Sequence, residues 1–257
     1  HTDGIAERYP AWSPDGKWIA YVTDAGGENE LAVRPADGAS AERILTELGP
    51  GYKFRPSWSP DSKTILFATN DGSLHRVKVD DRSHDVIDVS PDGQPFGASW
   101  SPDSRWIAFT HRGTQSRLGS IFLFDTQSKQ KHEVTSGQFQ DNDVAFDRSG
   151  DWLFFTRSAT FEPMYSEMDE TWIYANSANL CAVPLRPDVK SPWAPKNDEE
   201  GKSDDAKDKK DEKKDEAVKP VEIAFDGFEQ RAIRTEAPAG RIRDLQAAKG
   251  KILYLRV

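Results

Sequence analysis

The apolar residues of this chain fall in short unbroken runs rather than in helical stripes: "KWIAYV", "KTILFA", "RWIAFT" and "DWLFFT". A half-exposed strand alternates apolar and polar positions, so runs this continuous predict strands in sheets covered on both faces. Each run follows a polar quartet. Together they recur as "PAWSPDGKWIAYV" (10–22), "PSWSPDSKTILFA" (56–68), "ASWSPDSRWIAFT" (98–110) and, worn, "VAFDRSGDWLFFT" (144–156). In Ser13-Pro14-Asp15-Gly16, proline sets φ to about −65° at the second turn position and aspartate suits the third. Glycine then accepts the left-handed conformation that follows a type I turn, so the quartet reverses the chain. Ser62 and Ser104 replace that glycine, at a cost in strain if φ is positive there. Asp147-Arg148-Ser149-Gly150 has lost the proline and kept the glycine.

Trp12, Trp58, Trp100 and Phe146 stand just before the turns at intervals of 42 to 46 residues, the period of a propeller blade. Further strand-like segments fit inside each period, such as "ELAVRP" (30–35), "SLHRVKVD" (73–80) and "SIFLFD" (120–125). Four short strands per period, with each small sheet covered by its neighbours, predict an all-β chain of four-stranded antiparallel blades, a β-propeller. A sandwich or open all-β domain with coincidentally similar hairpins is the alternative, and the fixed period argues against it. The expected blades are 9–50, 52–94, 95–139 and 140–236, with a fifth starting at 243–257. There "DLQAAKGKILYL" puts Leu245 in the tryptophan position and Lys249-Gly250 in the turn. The chain lacks an initiator methionine and stops inside the strand-like run "KILYLRV", which suggests a piece of a longer protein with more blades.

The fourth period is about twice as long as the others, yet holds one blade's worth of strand candidates: "DWLFFTR", "TWIYA" to "LCAVPL", and "VEIAFDGFEQRAI". The rest reads as insertion. Residues 196–219 have no aromatic residue and are mostly charged, too polar to offset the entropy of ordering, so they predict a disordered surface loop. Residues 158–180 are richer, with Phe161, Met164, Tyr165, Met168, Trp172 and Tyr174 in a loop-like stretch. They would either line a rim that touches peptide side chains or form a lid packed on its own blade.

Composition narrows the partners. The 257 residues carry a net charge of −9, which disfavours nucleic acid and anionic membranes. No apolar run approaches the roughly 18 residues that would span a membrane. Cys181 is the single cysteine, so neither an intrachain disulfide nor a cysteine zinc site is expected. There is no G-x-S-x-G elbow, P-loop, dinucleotide fingerprint or H-E-x-x-H, and His1, His75, His84, His111 and His132 make no spaced ligand pair; they read as surface or turn histidines. Asp15, Asp61 and Asp103 occupy the same place in each repeat and read as turn residues. The residues therefore assign no catalytic, metal or cofactor-binding group, and leave the substrate-binding residues open.

The W-S-P-D-[GS] hairpins resemble the repeats of TolB and of propellers attached to peptidases. More telling is a succession that covers nearly the whole chain: 7–38, 48–63, "SIFLFDTQSKQKHEVTSGQFQDNDVAFDRSGDWLFFTR" (120–157), "LRPDVKSPWAPKNDEE" (185–200) and 223–256. This order is similar to that of the tricorn protease family. The resemblance implies a large cytosolic serine peptidase with six- and seven-bladed propellers, a PDZ domain and catalytic domains, assembled as a hexamer. The present chain would supply consecutive blades of the seven-bladed propeller, which admits short peptides to an active site elsewhere. The family's catalytic serine and histidine have no counterpart here. Two other classes stay open: a TolB-like protein-binding module, and the propeller cap of a prolyl-oligopeptidase relative. The lost turn proline at 147–150 and the lysine-rich insertion depart from the pattern, so loop contacts do not transfer. Many bacterial relatives carry an export signal, so a periplasmic or exported location is the alternative to the cytoplasm.

Overall fold

The computed structural model describes residues 4–94, 97–113, 116–161, 163–168, 170–173, 177–191, 218–248 and 251–256. Four four-stranded sheets follow one another along the chain. The first holds β1 (Glu7–Trp12), β2 (Trp18–Thr23), β3 (Glu30–Pro35) and β4 (Arg43–Ile44). The second holds β5 (Lys53–Trp58), β6 (Thr64–Thr69), β7 (Ser73–Lys78) and β8 (His84–Val89). The third holds β9 (Ala98–Trp100), β10 (Trp106–Arg112), β11 (Gly119–Asp125) and β12 (Lys131–Glu133). In the fourth, β13 (Gln140–Phe146) and β14 (Trp152–Ser158) are followed by a separate hairpin of β15 (Met164–Ser166) and β16 (Thr171–Ile173). The sheet then resumes with β17 (Ala178–Pro184) and β18 (Ile233–Arg234). β19 (Ile242–Ala248) and β20 (Lys251–Arg256) open a fifth blade. All neighbouring strands pair antiparallel, so the chain is a segment of a β-propeller.

The unbroken apolar runs find their reason between the blades. One core joins Leu31 and Val33 of blade 1 to Ile65, Phe67 and Val77 of blade 2. The next joins Leu66 and Leu74 to Ile107, Phe109 and Phe122, and a third joins Ala108, Ile121 and Leu123 to Leu153, Phe155 and Val183. Alternate residues of one strand thus serve opposite neighbours. Ile65 and Phe67 face back while Leu66 faces forward, and every position is buried. The tryptophans before the turns bolt the blades together: the Trp58 indole donates to the Ala11 carbonyl at 2.9 Å, and the Trp100 indole to that of Ser57 at 3.4 Å. Phe146 has no such donor. At its place the backbone N–H of Phe146 donates to the Ser99 hydroxyl at 3.1 Å.

The turns behave as local hydrogen-bond knots. Asp15 accepts from the Ser13 hydroxyl at 2.6 Å and from the Lys17 N–H at 3.0 Å, and Asp61 and Asp103 repeat the arrangement. In blade 4 the two side chains exchange roles. Asp147 stands where serine was and accepts from the Trp152 N–H at 3.0 Å, while Ser149 donates to Asp147 at 2.5 Å. The turn therefore survives without its proline. Ser62 and Ser104 do adopt left-handed backbones, with φ of 61° and 62°, and a second bond offsets the strain. Their hydroxyls accept the N–H of Asp15 and Asp61, each 3.1 Å away in the preceding blade's turn.

Three expectations are corrected. In blade 5 the bulge between Arg243 and Gln246 matches the one between Arg8 and Ala11, so Ala247 and not Leu245 takes the tryptophan place, opposite Ile252 as Trp12 is opposite Ile19. "TWIYA" contributes β16 to the extra hairpin rather than to the blade. Of "VEIAFDGFEQRAI" only Ile233 belongs to a strand. Its earlier part is an extended strap that lies between blades 3 and 4. Val221 donates its N–H to Asp103 at 2.7 Å and accepts from the Trp106 indole at 3.2 Å. Val221 and Phe228 are buried in the core between the two blades. The strap explains the glycine at 150, where φ is 76° and a Cβ would lie 2.8 Å from Val221 Cγ2. The charged stretch 196–219 lies outside the described residues except Val218 and Lys219, which are exposed.

Candidate functional site

β1 packs beside β5, β9 beside β13, and β13 beside β19, so the first strands of the blades form a common inner wall. Each of these strands except the short β9 carries a bulge. A single non-glycine residue there takes a left-handed backbone: Tyr9 (φ 55°), Arg55 (φ 44°), Asp143 (φ 50°) and Asp244 (φ 58°). Bulges re-aim side chains, and these four occupy the same place in the inner strands of blades 1, 2, 4 and 5. Arg55 of blade 2 reaches Asp244 of blade 5, with Nη1 3.8 Å from Oδ1, so an ion pair links the inner strands of these two blades. The Arg55 side chain is 82% exposed, so the pair is open to solvent. Burial raises the pKa of Asp143, and the neighbouring carboxylate of Asp244 raises it further.

Beside these charges, Arg8, Tyr9, Val22, Asn29, Tyr52, Lys53 and Phe54 line a cleft of about 270 Å³ between blades 1 and 2. The Tyr9 and Tyr52 rings lie 6.5 and 6.4 Å from that of Phe54. Below them Lys53 is buried and holds the linking segment. It contacts Glu30 at 3.3 Å and donates to the Gly49 carbonyl at 2.8 Å, while Glu30 accepts the N–H groups of Leu48 and Gly49. The wall thus offers aromatic faces beside an exposed ion pair.

The remaining groups are structural. Asp15, Asp61 and Asp103 sit in the turns, and Asp103 also holds the strap. The histidines are less peripheral than expected. His75 is buried against Phe67, with Nδ1 2.7 Å from His84 Nε2 and Nε2 3.1 Å from the Thr69 hydroxyl. Burial, followed by the charge of His84, pushes its pKa down to about 4. The His111 side chain is 5% exposed, with Nε2 3.0 Å from Asp88, and His132 stacks on Phe225 of the strap. His1 lies outside the described residues. These contacts join neighbouring strands, neighbouring blades and the strap, so they were hidden in sequence spacing. Cys181 is buried, which pushes its thiol up to about 11 and makes it unreactive. Among the described residues no cluster of three or more metal-ligating side chains occurs. No described helix is long and apolar enough to cross a membrane.

Known proteins share this fold. The chain is 28% identical over 260 residues to tricorn protease homolog 1 of Streptomyces coelicolor, an alignment covering 99% of the chain and 24% of the relative. The crystal structure of tricorn protease superposes with a TM-score of 0.73 at 16% identity, covering 98% of this chain and 23% of that one. A shorter match, 50% identical over 36 residues, links 14% of the chain to 8% of the Tol-Pal system protein TolB of Blochmanniella floridana. The chain spans about a quarter of the tricorn relatives it matches. The family model of the tricorn protease second beta propeller domain matches residues 1–257, and the chain belongs to that family.

Proposed function

We propose that this chain is a non-catalytic propeller segment of a tricorn-like serine peptidase and that its inner wall passes short peptides to an active site in another domain. One observation supports the reading: the inner strands of blades 1, 2, 4 and 5 present Tyr9, Arg55, Asp143 and Asp244 from matching bulges, with Arg55 and Asp244 paired at 3.8 Å. A peptide has a carboxylate at one end and an ammonium group at the other. Arg55 suits the first and Asp244 the second, each exchanging its present partner, 3.8 Å away, for one end of a peptide. On this reading the parent protein contains PDZ and catalytic domains, closes the propeller with seven blades, assembles as a hexamer and works in the cytoplasm. The nucleophile and its base belong to the parent's other domains.

The test compares this chain with the full-length product of its reading frame on a panel of fluorogenic peptides. Cleavage by the longer protein alone is expected. Cleavage by neither favours a TolB-like binding module instead. That second reading draws on the 36-residue match, which is shorter than one blade and carries the repeat rather than a role.

A further inference from the structure

Blade 4 differs from its neighbours in the loop between its second and third strands. The corresponding loops are 24–29, 70–72 and 113–118 in blades 1 to 3, whereas blade 4 spends 159–177 there and folds the β15–β16 hairpin within it. β14 runs from Trp152, beside the turn, to Ser158, so the hairpin stands on the face opposite the Ser-Pro-Asp turns. Tyr165 and Trp172 lie directly opposite each other, their rings edge to face with centroids 5.5 Å apart. They are 53% and 56% exposed, and Met168 at the tip is 99% exposed. A two-stranded hairpin has little stability of its own, and large apolar groups grouped on one mark a contact surface. Glu167 and Glu170 flank the pair, both exposed, and among the described residues neither forms an ion pair.

Rings edged by exposed carboxylates match lysine or arginine, whose stems lie on the ring face while the cation meets the carboxylate. We infer that the β15–β16 hairpin docks a basic stretch of the parent polypeptide outside residues 1–257. The charge of the hairpin selects the sign of its partner. The relative's sequence, of which this chain spans 24%, leaves ample chain to supply it. This rests on the proposed placement of the chain within a longer tricorn-like protein.

The test places the photo-cross-linking residue p-benzoylphenylalanine at Met168 in the full-length protein, with a control at Lys17 in the turn on the opposite face. The expected result is one dominant cross-link to a segment rich in lysine or arginine beyond this chain, reduced at least five-fold by Glu167→Lys with Glu170→Lys at unchanged melting temperature. Several results would overturn the proposal: no cross-link above the Lys17 control, a cross-link within residues 1–257 of the same or a second copy, or a cross-link that survives the charge reversal. Peptide cleavage by the same preparations reports separately on the channel reading, so the two can fail independently.

Discussion

The joint between blades 2 and 3 and the joint between blades 3 and 4 use equivalent strands but are closed by different means. At the first, the Trp100 indole reaches back to Ser57, and the Ser104 hydroxyl takes the N–H of Asp61 in the preceding turn. At the second, phenylalanine replaces the tryptophan and glycine the serine, and both ties vanish. The strap fills the gap, with Val221 bonded to Asp103 and Trp106, and Phe228 buried. Its far end is fixed by Glu229, which accepts the Ser136 N–H and meets Arg157, itself paired with buried Asp141 at 2.7 Å. The lesson is that a repeat position is defined by the bond it completes. When a residue inside the chain takes over that bond, the repeat motif is released.

The comparison breaks most readily at Phe228. If the strap is an integral part of the joint, Phe228→Ala costs about 3–5 kcal/mol in chemical denaturation, as for other buried phenylalanines. A cost below about 0.5 kcal/mol, typical of a surface substitution, means the strap is merely draped over the blades. Gly150→Ser restores the residue that blades 2 and 3 use, yet is expected to destabilise by about 1–3 kcal/mol because its Cβ meets Val221.

Joint 1–2 carries the histidine pair and adds a pH dependence. His75 titrates at about 4 in the folded chain, below its ordinary value of about 6.5. The unfolded chain therefore binds more protons between those values, so this contribution to stability is complete above about pH 6.5 and lost as pH falls toward 4. The groups facing His75 are His84, Asp71 and Lys53. Unfolding free energies measured by chemical denaturation at pH 7 and 4.5 should differ less in His75→Gln than in the parent, by about 1–2 kcal/mol. The smallest effect is expected for Ser62→Gly. Relief of the left-handed backbone offsets the lost hydrogen bond to Asp15, leaving stability within about 0.5 kcal/mol.

The blades were legible because their signals are local. Trp58 and Asp61 lie within one hairpin, and the apolar runs state that both faces are covered. The role exchange of Asp147 and Ser149 was not legible, because serine and aspartate each fit either turn position and only their partners distinguish them. Ala247 escaped notice because the bulge, not the residue type, sets the register in β19. The strap looked like a strand since Val221, Ile223 and Phe225 alternate, but it fills a groove between blades instead of pairing along an edge. The inner-wall bulges left no sequence signal: tyrosine, arginine and aspartate share a backbone conformation there and no side-chain chemistry.

The passage of peptides along the inner wall is tested most directly by blocking it. Arg55→Cys in the full-length protein puts a reactive thiol on the exposed inner strand, while buried Cys181, with its thiol pushed up to about 11, stays unlabelled. Coupling a bulky methanethiosulfonate should suppress peptide cleavage at least ten-fold, with recovery on reduction and no effect on the unsubstituted protein. Full cleavage with the thiol completely labelled would contradict the account, because peptides would then reach the active site by another route.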